Sequence, residues 1–298
     1  ENDFIGILQI CKGLSLTDCY WVTYPNDQKT FAEVNLFDNR FSQVLSQIAF
    51  TGYGSSPASK FRSSPEFTTN GMLPKAWRRK EGKVLLYKGG TSGLANTGKE
   101  PYSEFYAAQV AEAMGIPHVT YGLSKWKGQL CSTCELFTSK DISFVPASTL
   151  IRTSRISQII DWFDDHGWKN DLADMLVLDA IIRNTDRHLG NFGFLVDNHT
   201  NQLLRPAPIF DNGLSLYCYV MDNDLNNLAE QEKTLAPALY ANFDEVALHV
   251  IGQKQKQELR HLLTFKFKKH SRYNLSDERI KMLESAIQGK VRCLLESA

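Results

Sequence analysis

The chain is 298 residues long, enough for one large domain or two lobes around a sizeable buried core. Thirty-three Lys and Arg balance thirty-three Asp and Glu, so bulk charge gives no argument for nucleic acid or an anionic membrane as a partner, and neither is expected. No apolar run approaches the ~20 residues of a membrane span, and six scattered Cys suit a cytosolic protein better than a disulfide framework.

The chain opens at Glu1 without a Met, which leaves an upstream targeting segment open. Residues 1–50 read as short β-type runs separated by loops: 6–11, 19–24 and 31–37. Tyr20, Trp21 and Tyr24 alternate with smaller residues as a half-buried strand would. Asp38-Asn39 signals a turn, and 41–50 has the length of a short helix. The polar stretch 52–64 is a loop by composition. Nothing in this part argues chemistry, and it reads as structural or as a partner surface.

Thr68, Thr69, Asn70 and Gly71 then make a small polar turn, with Lys75 beyond it. Such a turn can offer backbone N–H groups to phosphate, with Lys adding charge. It lacks the spacing of a Walker A loop, and by itself it reads as a surface turn. Residues 83–88, K-V-L-L-Y-K, read as a strand ending in Lys88. In kinases a strand-borne Lys holds the nucleotide phosphates and pairs with a Glu on the next helix. Ser103 is the expected N-cap of that helix and Gly115 its stop, with Pro117 beyond. Glu104 then falls in the first turn, where a carboxylate also suits the helix dipole. It is the first candidate partner for Lys88, and Glu112 the second.

Two strands follow, 118–123 and 129–137, joined by a K-W-K-G turn. Cys131 and Cys134 form a C-x-x-C, but no second pair completes a zinc site, so they read as reduced thiols beside a strand. The second half reads as mostly helical. An amphipathic helix over 156–168 stops near Gly167, and 172–182 is apolar on most faces and so buried. That second helix delivers a polar loop carrying Asp186 and, five positions on, Asn191. A hairpin, 192–196 with 202–204, then leads to Asp211, twenty positions after Asn191.

This order is the plan of a protein-kinase active site, in which an Asp faces the hydroxyl nucleophile and an Asn and a second Asp hold Mg²⁺. Phosphoryl transfer needs metal charge on the phosphates of ATP, so oxygen ligands must converge from separate loops. Taken alone, Asp186 and Asn191 would serve equally well as turn residues. The apolar helix before them, Phe192, Phe194 and Leu195 after them, and Ile209-Phe210 before Asp211 favour the kinase plan. Residues 212–227 occupy the place of an activation segment, whose polar tail reads as mobile. From Leu228 the pattern is helical to the end. The basic clusters Lys254-Lys256 and 266–272 read as solvated faces.

The strings N-T-D-R-H-L-G-N-F-G-F (184–194) and P-I-F-D-N-G-L (208–214) are more specific than their spacing. They closely resemble the catalytic segment of the HipA-like serine/threonine kinases, whose motifs are N-T-D-x-H-x-x-N-F and a later P-x-Y/F-D. The resemblance covers 64–214 well and the ends weakly. It implies an α+β, two-lobe protein-kinase-like fold of the HipA type, with a β-rich N-terminal lobe over 1–136 and a mostly helical C-terminal lobe over 137–298. It implies an ATP- and Mg²⁺-dependent serine/threonine protein kinase, autophosphorylating in the manner of the family's toxin and effector kinases. Asp186 would be catalytic, and Asn191 and Asp211 the metal ligands. Lys88 and Glu104 would lie at the nucleotide, because the 103–117 run resembles the family's N-E…L-A…G-I-P helix. Thr68, Thr69, Asn70, Gly71 and Lys75 would belong to a nucleotide-covering loop, with Thr68 or Thr69 in place of its autophosphorylated Ser. The backbone from Glu135 to Phe137 would receive the adenine, and His188 would brace the catalytic loop in preference to touching phosphate.

The partners implied are a protein with a Ser or Thr acceptor and an antitoxin-like regulatory protein. The implied location is the bacterial cytoplasm, with secretion left open. One departure stands out: HipA carries Lys directly before the Asn, where this chain has Gly190, so no role of that Lys carries over. The alternatives are a lipid or small-molecule kinase of similar site plan, and a nucleotide-binding pseudokinase that acts as a regulatory module.

Overall fold

The structure, a computed structural model, describes residues 4–52, 64–65, 73–93 and 96–298. The amino-terminal part differs from the strands expected of it. Phe4–Cys11 forms helix α1, Phe31–Val34 helix α2 and Gln43–Thr51 helix α3, while 18–30 joins neither sheet. A short apolar run such as F-I-G-I-L-Q-I-C suits a helix as well as a strand. The Thr30-x-x-Glu33 signature decides α2, since the Glu33 carboxylate accepts the Thr30 N–H at 2.8 Å. Tyr20 is 67% exposed and Tyr24 44%, so their alternation marks no half-buried strand; Trp21 instead packs on Phe31. The helix expected within 41–50 is α3, with Ser42 accepting the Leu45 N–H as its N-cap.

Four antiparallel strands follow: β1 (Lys75–Lys80), β2 (Lys83–Gly89), β3 (Tyr121–Trp126) and β4 (Gln129–Glu135), in the order β1-β2-β4-β3. The sequence assigns no element to β1, placing only Lys75 beyond a polar turn. Its partners fix it: Lys75 lies opposite Lys88 and Lys80 opposite Lys83, closed by Glu81-Gly82 with both φ positive, as a two-residue hairpin of this hand requires. The outer face packs Phe50 of α3 against Ala76, Tyr87 and Cys131. Helix α4 (Glu100–Met114) links β2 to β3. It begins one turn before the expected Ser103 cap, with Pro101 in its first turn, and ends at Gly115 (φ 77°) as expected. Glu104 therefore sits one turn inside the helix, and the Ser103 hydroxyl donates to the Ser215 carbonyl at 3.0 Å.

A second antiparallel sheet is built from β5 (Ile142–Pro146), β6 (Gly193–Asp197) and β7 (Leu203–Pro206). The helices of this part are α5 (Ala147–Leu150), α6 (Ile156–Asp165), α7 (Lys169–Ile182), α8 (Leu228–Glu232), α9 (Phe243–Val250), α10 (Gln253–Arg260) and α11 (Asp277–Ser297). The carboxy-terminal part is thus helical with a break over 261–276, where Phe265 and Phe267 turn into the core. Every residue of α7 from Leu172 to Ile182 is buried, as its lack of a polar face requires. That burial makes α7 a rigid base for the loop at its end.

Arg183 closes α7 in the left-handed region (φ 54°) and anchors the loop to the helices behind it. Its guanidinium donates to Asp244 at 2.9 Å and Glu232 at 3.1 Å, and Lys290 reaches Asp244 at 2.9 Å. Burial pushes the Asp244 carboxyl up, but the hydrogen bonds from Arg183 and Lys290 outweigh it and leave its pKa below the usual value. A lowered folded-state pKa stabilises the fold above the usual carboxylate range, ~3.9 for Asp, and that contribution fades as pH falls. Asp244→Asn is therefore expected to be less stable than wild type in urea at pH 7, with the gap closing in acid. A gap that does not change with pH would refute the link.

Basic side chains outside this network also meet acids. Lys254 reaches Asp174 and Glu258, Lys266 reaches Glu284, and Lys269 reaches Asp277. No helix among the described residues is long and apolar enough to cross a membrane.

Candidate active site

The end of β2, the body of α4 and the loop after β7 meet at Lys88. Its Nζ donates to Glu104 Oε1 at 3.0 Å and also to Asp211 Oδ1. The second oxygen of Glu104 accepts the Asn212 N–H at 2.8 Å, so one buried carboxylate ties the strand lysine to the residue after Asp211. Asp211 holds φ at +58°, and its N–H reaches the Tyr121 hydroxyl on β3 at 3.3 Å. Burial disfavours the Lys88 ammonium, yet Glu104 and Asp211 overcome this and raise its pKa. Burial pushes Glu104 up against the pull of Lys88. Asp211 is desolvated too, but Lys88 prevails and holds it below the usual carboxylate range. The cluster therefore holds a charged lysine between two unequal acids.

The loop at the end of α7 is held by side chains whose role the sequence did not disclose. Arg187 is fully buried. It donates to both oxygens of Asp179 (2.8 and 2.9 Å), to the carbonyls of Asn191 (3.0 Å) and Phe210 (2.7 Å), and to Asn212 Oδ1 (2.7 Å). One guanidinium thus fastens the Asp186–Asn191 loop to the Phe210–Asn212 loop, with the planar fork geometry that Arg alone supplies. Asn184 joins the same cluster through Asp179 and Asn212, and its Oδ1 accepts the Asp186 N–H at 3.2 Å. The available signal was Asp179, an acid set among apolar neighbours in the second half of the helix, eight residues before an Arg.

Asn191 and Asp186 are in direct contact. The Asn191 amide nitrogen donates to the Asp186 carbonyl at 2.7 Å and lies 3.4 Å from its Oδ2. With the nitrogen so engaged, the amide presents its oxygen as a ligand. An amide oxygen on Asn191 and a carboxylate on Asp211 are hard donors of the kind Mg²⁺ takes when nucleotide phosphates complete its shell. Among the described residues no group of three or more His, Cys, Asp and Glu is gathered for a metal.

Lys75 lies opposite Lys88 in the β1–β2 register, on the same face of the sheet. Burial lowers its pKa and the nearby Lys88 charge adds to this, partly opposed by Asp211 and Glu104. His188 is exposed, and its Nδ1 accepts the Gly190 N–H at 3.0 Å. A Cβ at Gly190 would lie 2.9 Å from the same ring, so this chain's His188 placement goes with the missing side chain there. Phe137 packs against Phe144 and Phe210, next to Asp211. Glu135 lies opposite Leu85 on the other face of the sheet, and its carboxylate pairs with Lys83 at 2.7 Å, away from Lys88. Thr68, Thr69, Asn70 and Gly71 lie outside the described residues. Cys131 and Cys134 point to opposite faces of β4, the first buried beside Tyr87, the second beside Tyr121, where burial pushes its thiol up to about 12.

A lysine on a sheet, a glutamate on the following helix, and Asp, Asn and Asp on two cross-braced loops over a helical base define an α+β kinase-like fold. No family model matches the chain. The serine/threonine-protein kinase CtkA of Helicobacter pylori is 26% identical over 132 residues, which make up 39% of this chain and 40% of that protein. The chain is thus matched to well under half the length of this curated relative. The crystal structure of the Helicobacter pylori proinflammatory kinase CtkA superposes with a TM-score of 0.59 at 17% identity, covering 76% of this chain and 92% of that one. The Shewanella oneidensis HipA structure, solved with HipB and operator DNA, gives a TM-score of 0.41 at 11% identity over 75% of this chain and 64% of that one. The chain is thus similar in sequence to the kinase CtkA over those residues, and it shares the fold of the CtkA structure.

Proposed function

We propose that the chain is an ATP- and Mg²⁺-dependent serine/threonine protein kinase of the HipA type. The observation that carries this reading is the meeting of Lys88, Glu104 and Asp211 beside a loop where Asn191 rests on Asp186. In it the β-rich lobe runs over 1–136 and the helical lobe over 137–298, with adenine received by the backbone of Glu135 to Phe137. Lys88 leaves Asp211 to hold the nucleotide phosphates, and Glu104 keeps it in place. Lys75 adds positive charge from the adjacent strand, and Thr68, Thr69, Asn70 and Gly71 belong to the nucleotide-covering loop. Asn191 and Asp211 would hold Mg²⁺, which when bound puts positive charge on the phosphate oxygens. Asp186 orients the acceptor hydroxyl and takes its proton as that oxygen bonds the γ-phosphorus and the bond from the γ-phosphorus to the bridging oxygen of the departing ADP breaks.

The acceptor is a protein Ser or Thr, Thr68 or Thr69 of the chain itself included. From the motif resemblance alone we propose a regulatory partner of the antitoxin kind and a place in the bacterial cytoplasm.

The test is transfer of labelled γ-phosphate from ATP in Mg²⁺, with wild type and Asp211→Ala side by side. Label on Ser or Thr that vanishes in the variant is the expected result. Wild type that binds ATP and labels no protein, its own chain included, would overturn the protein-kinase reading.

A further inference from the structure

Residues 212–220 follow the proposed metal ligand Asp211 and precede the polar tail, and they are largely buried: Asn212, Ser215, Leu216, Tyr217, Cys218 and Val220. Leu216 and Tyr217 hold φ at +50° and +53°, a left-handed conformation that two bulky residues keep only where their surroundings over-determine it. Those surroundings are visible. Thr185 N–H donates to the Leu214 carbonyl at 3.0 Å and Leu216 N–H to the Ile182 carbonyl at 2.7 Å, joining the segment to the loop that carries Asp186.

Three charged side chains from three helices grip it further. Arg279 of α11, 1% exposed, donates to the carbonyls of Tyr217 (2.5 Å) and Val220 (3.0 Å) and to Asp222 (2.8 Å). Glu232 at the end of α8 accepts the Tyr217 hydroxyl at 2.5 Å. Glu100, one turn before Glu104 on α4, accepts the Tyr219 hydroxyl at 3.2 Å. In kinases switched by phosphorylation, an arginine orders this segment by pairing with the added phosphate. Here the arginine is already spent on main-chain carbonyls, and the segment's one Ser hydroxyl, Ser215, is buried and donates to the Asn212 carbonyl at 2.7 Å.

We propose that Arg279 is a positioning residue which, with Glu100 and Glu232, holds 212–222 in its working shape through unmodified side chains, so that phosphate transfer needs no covalent modification of that segment. This rests on the kinase reading above. Asn212 and Leu214 touch the groups that place Asp211 and Asp186, so a loosened segment misplaces both while leaving the Lys88–Glu104 pair intact.

The test combines amide hydrogen exchange of the full chain with transfer kinetics after phosphatase treatment. Treated wild type is expected to protect 214–220 and to keep its transfer rate. Arg279→Ala is expected to exchange there about tenfold faster or more, and to lose about tenfold in kcat with KM for ATP little changed. Arg279→Lys should recover part of both. Should Arg279→Ala fail to fold, the double variant Tyr217→Phe/Tyr219→Phe, which removes only the two hydroxyl contacts, carries the same readouts. Free exchange in treated wild type, a rate lost on phosphatase treatment, or a variant with unchanged exchange would overturn the proposal. Wild type that transfers no phosphate would sink the kinase reading instead, and the exchange data would still decide whether the clamp holds.

Discussion

Asp186→Ala is expected to lose phosphate transfer by about 10²–10⁴-fold while remaining folded, the range typical for removal of a positioned acid–base group. At 1.36 kcal/mol per factor of ten this is roughly 3–5 kcal/mol of transition-state stabilisation. The fold should survive because little leans on that carboxylate. Asp186 is only half-buried, and Asn191 rests chiefly on its main-chain oxygen at 2.7 Å, which Ala retains; the side-chain contact is longer, at 3.4 Å. The Asp186 N–H bond to Asn184 also persists. Labelled-phosphate transfer and a urea unfolding curve measured on the same preparation separate the two quantities. Transfer retained within a few-fold of wild type would remove Asp186 from the catalytic role, and a large loss of stability would make any loss of transfer uninformative.

How much of this site could be read from the chain depends on whether a residue announces its role locally. Lys88, Glu104, Asp186, Asn191 and Asp211 are polar residues at the ends of apolar runs, and the structure brings Lys88, Glu104 and Asp211 into one ion-pair cluster and Asp186 and Asn191 into direct contact. Turns and stops marked by Gly, such as Gly115 and Lys127-Gly128, were equally legible because positive φ selects the residue. What escaped was set by distant partners. Ser103 is a good N-cap by type, but Pro101 and the fit of Glu100 against Thr91 and Tyr219 start the helix earlier. Tyr20 and Tyr24 alternate like a strand, yet among the described residues no strand pairs with them. The hold on the segment after Asp211 was not legible because the groups that grip it, Arg279 and Glu232, pair with it only in the fold.

Arg187 is the strongest case of a role invisible in sequence, and its removal should be the most destabilising single change near the site. Arg187→Ala is expected to cost about 3–5 kcal/mol in urea unfolding, the usual consequence of breaking a buried ion pair on one side. That is a large share of the roughly 5–15 kcal/mol that holds a domain folded. The cost has two sources. Asp179, fully buried, would keep its charge with no guanidinium to meet it. The carbonyls of Asn191 and Phe210 would lose a charged donor with water unable to replace it. Asp179→Ala leaves the complementary charge stranded and should cost a similar amount. The double variant should cost clearly less than the two singles added together, because removing the second partner relieves the first defect. Additive losses would mean that the pair is not the unit that joins the loops, and a loss under about 1 kcal/mol for Arg187→Ala, no more than an exposed ion pair contributes, would mean that the guanidinium is not buried in solution. If the pair does join them, a folded Arg187→Met variant should still lose transfer, since Asp186, Asn191 and Asp211 would no longer share one brace.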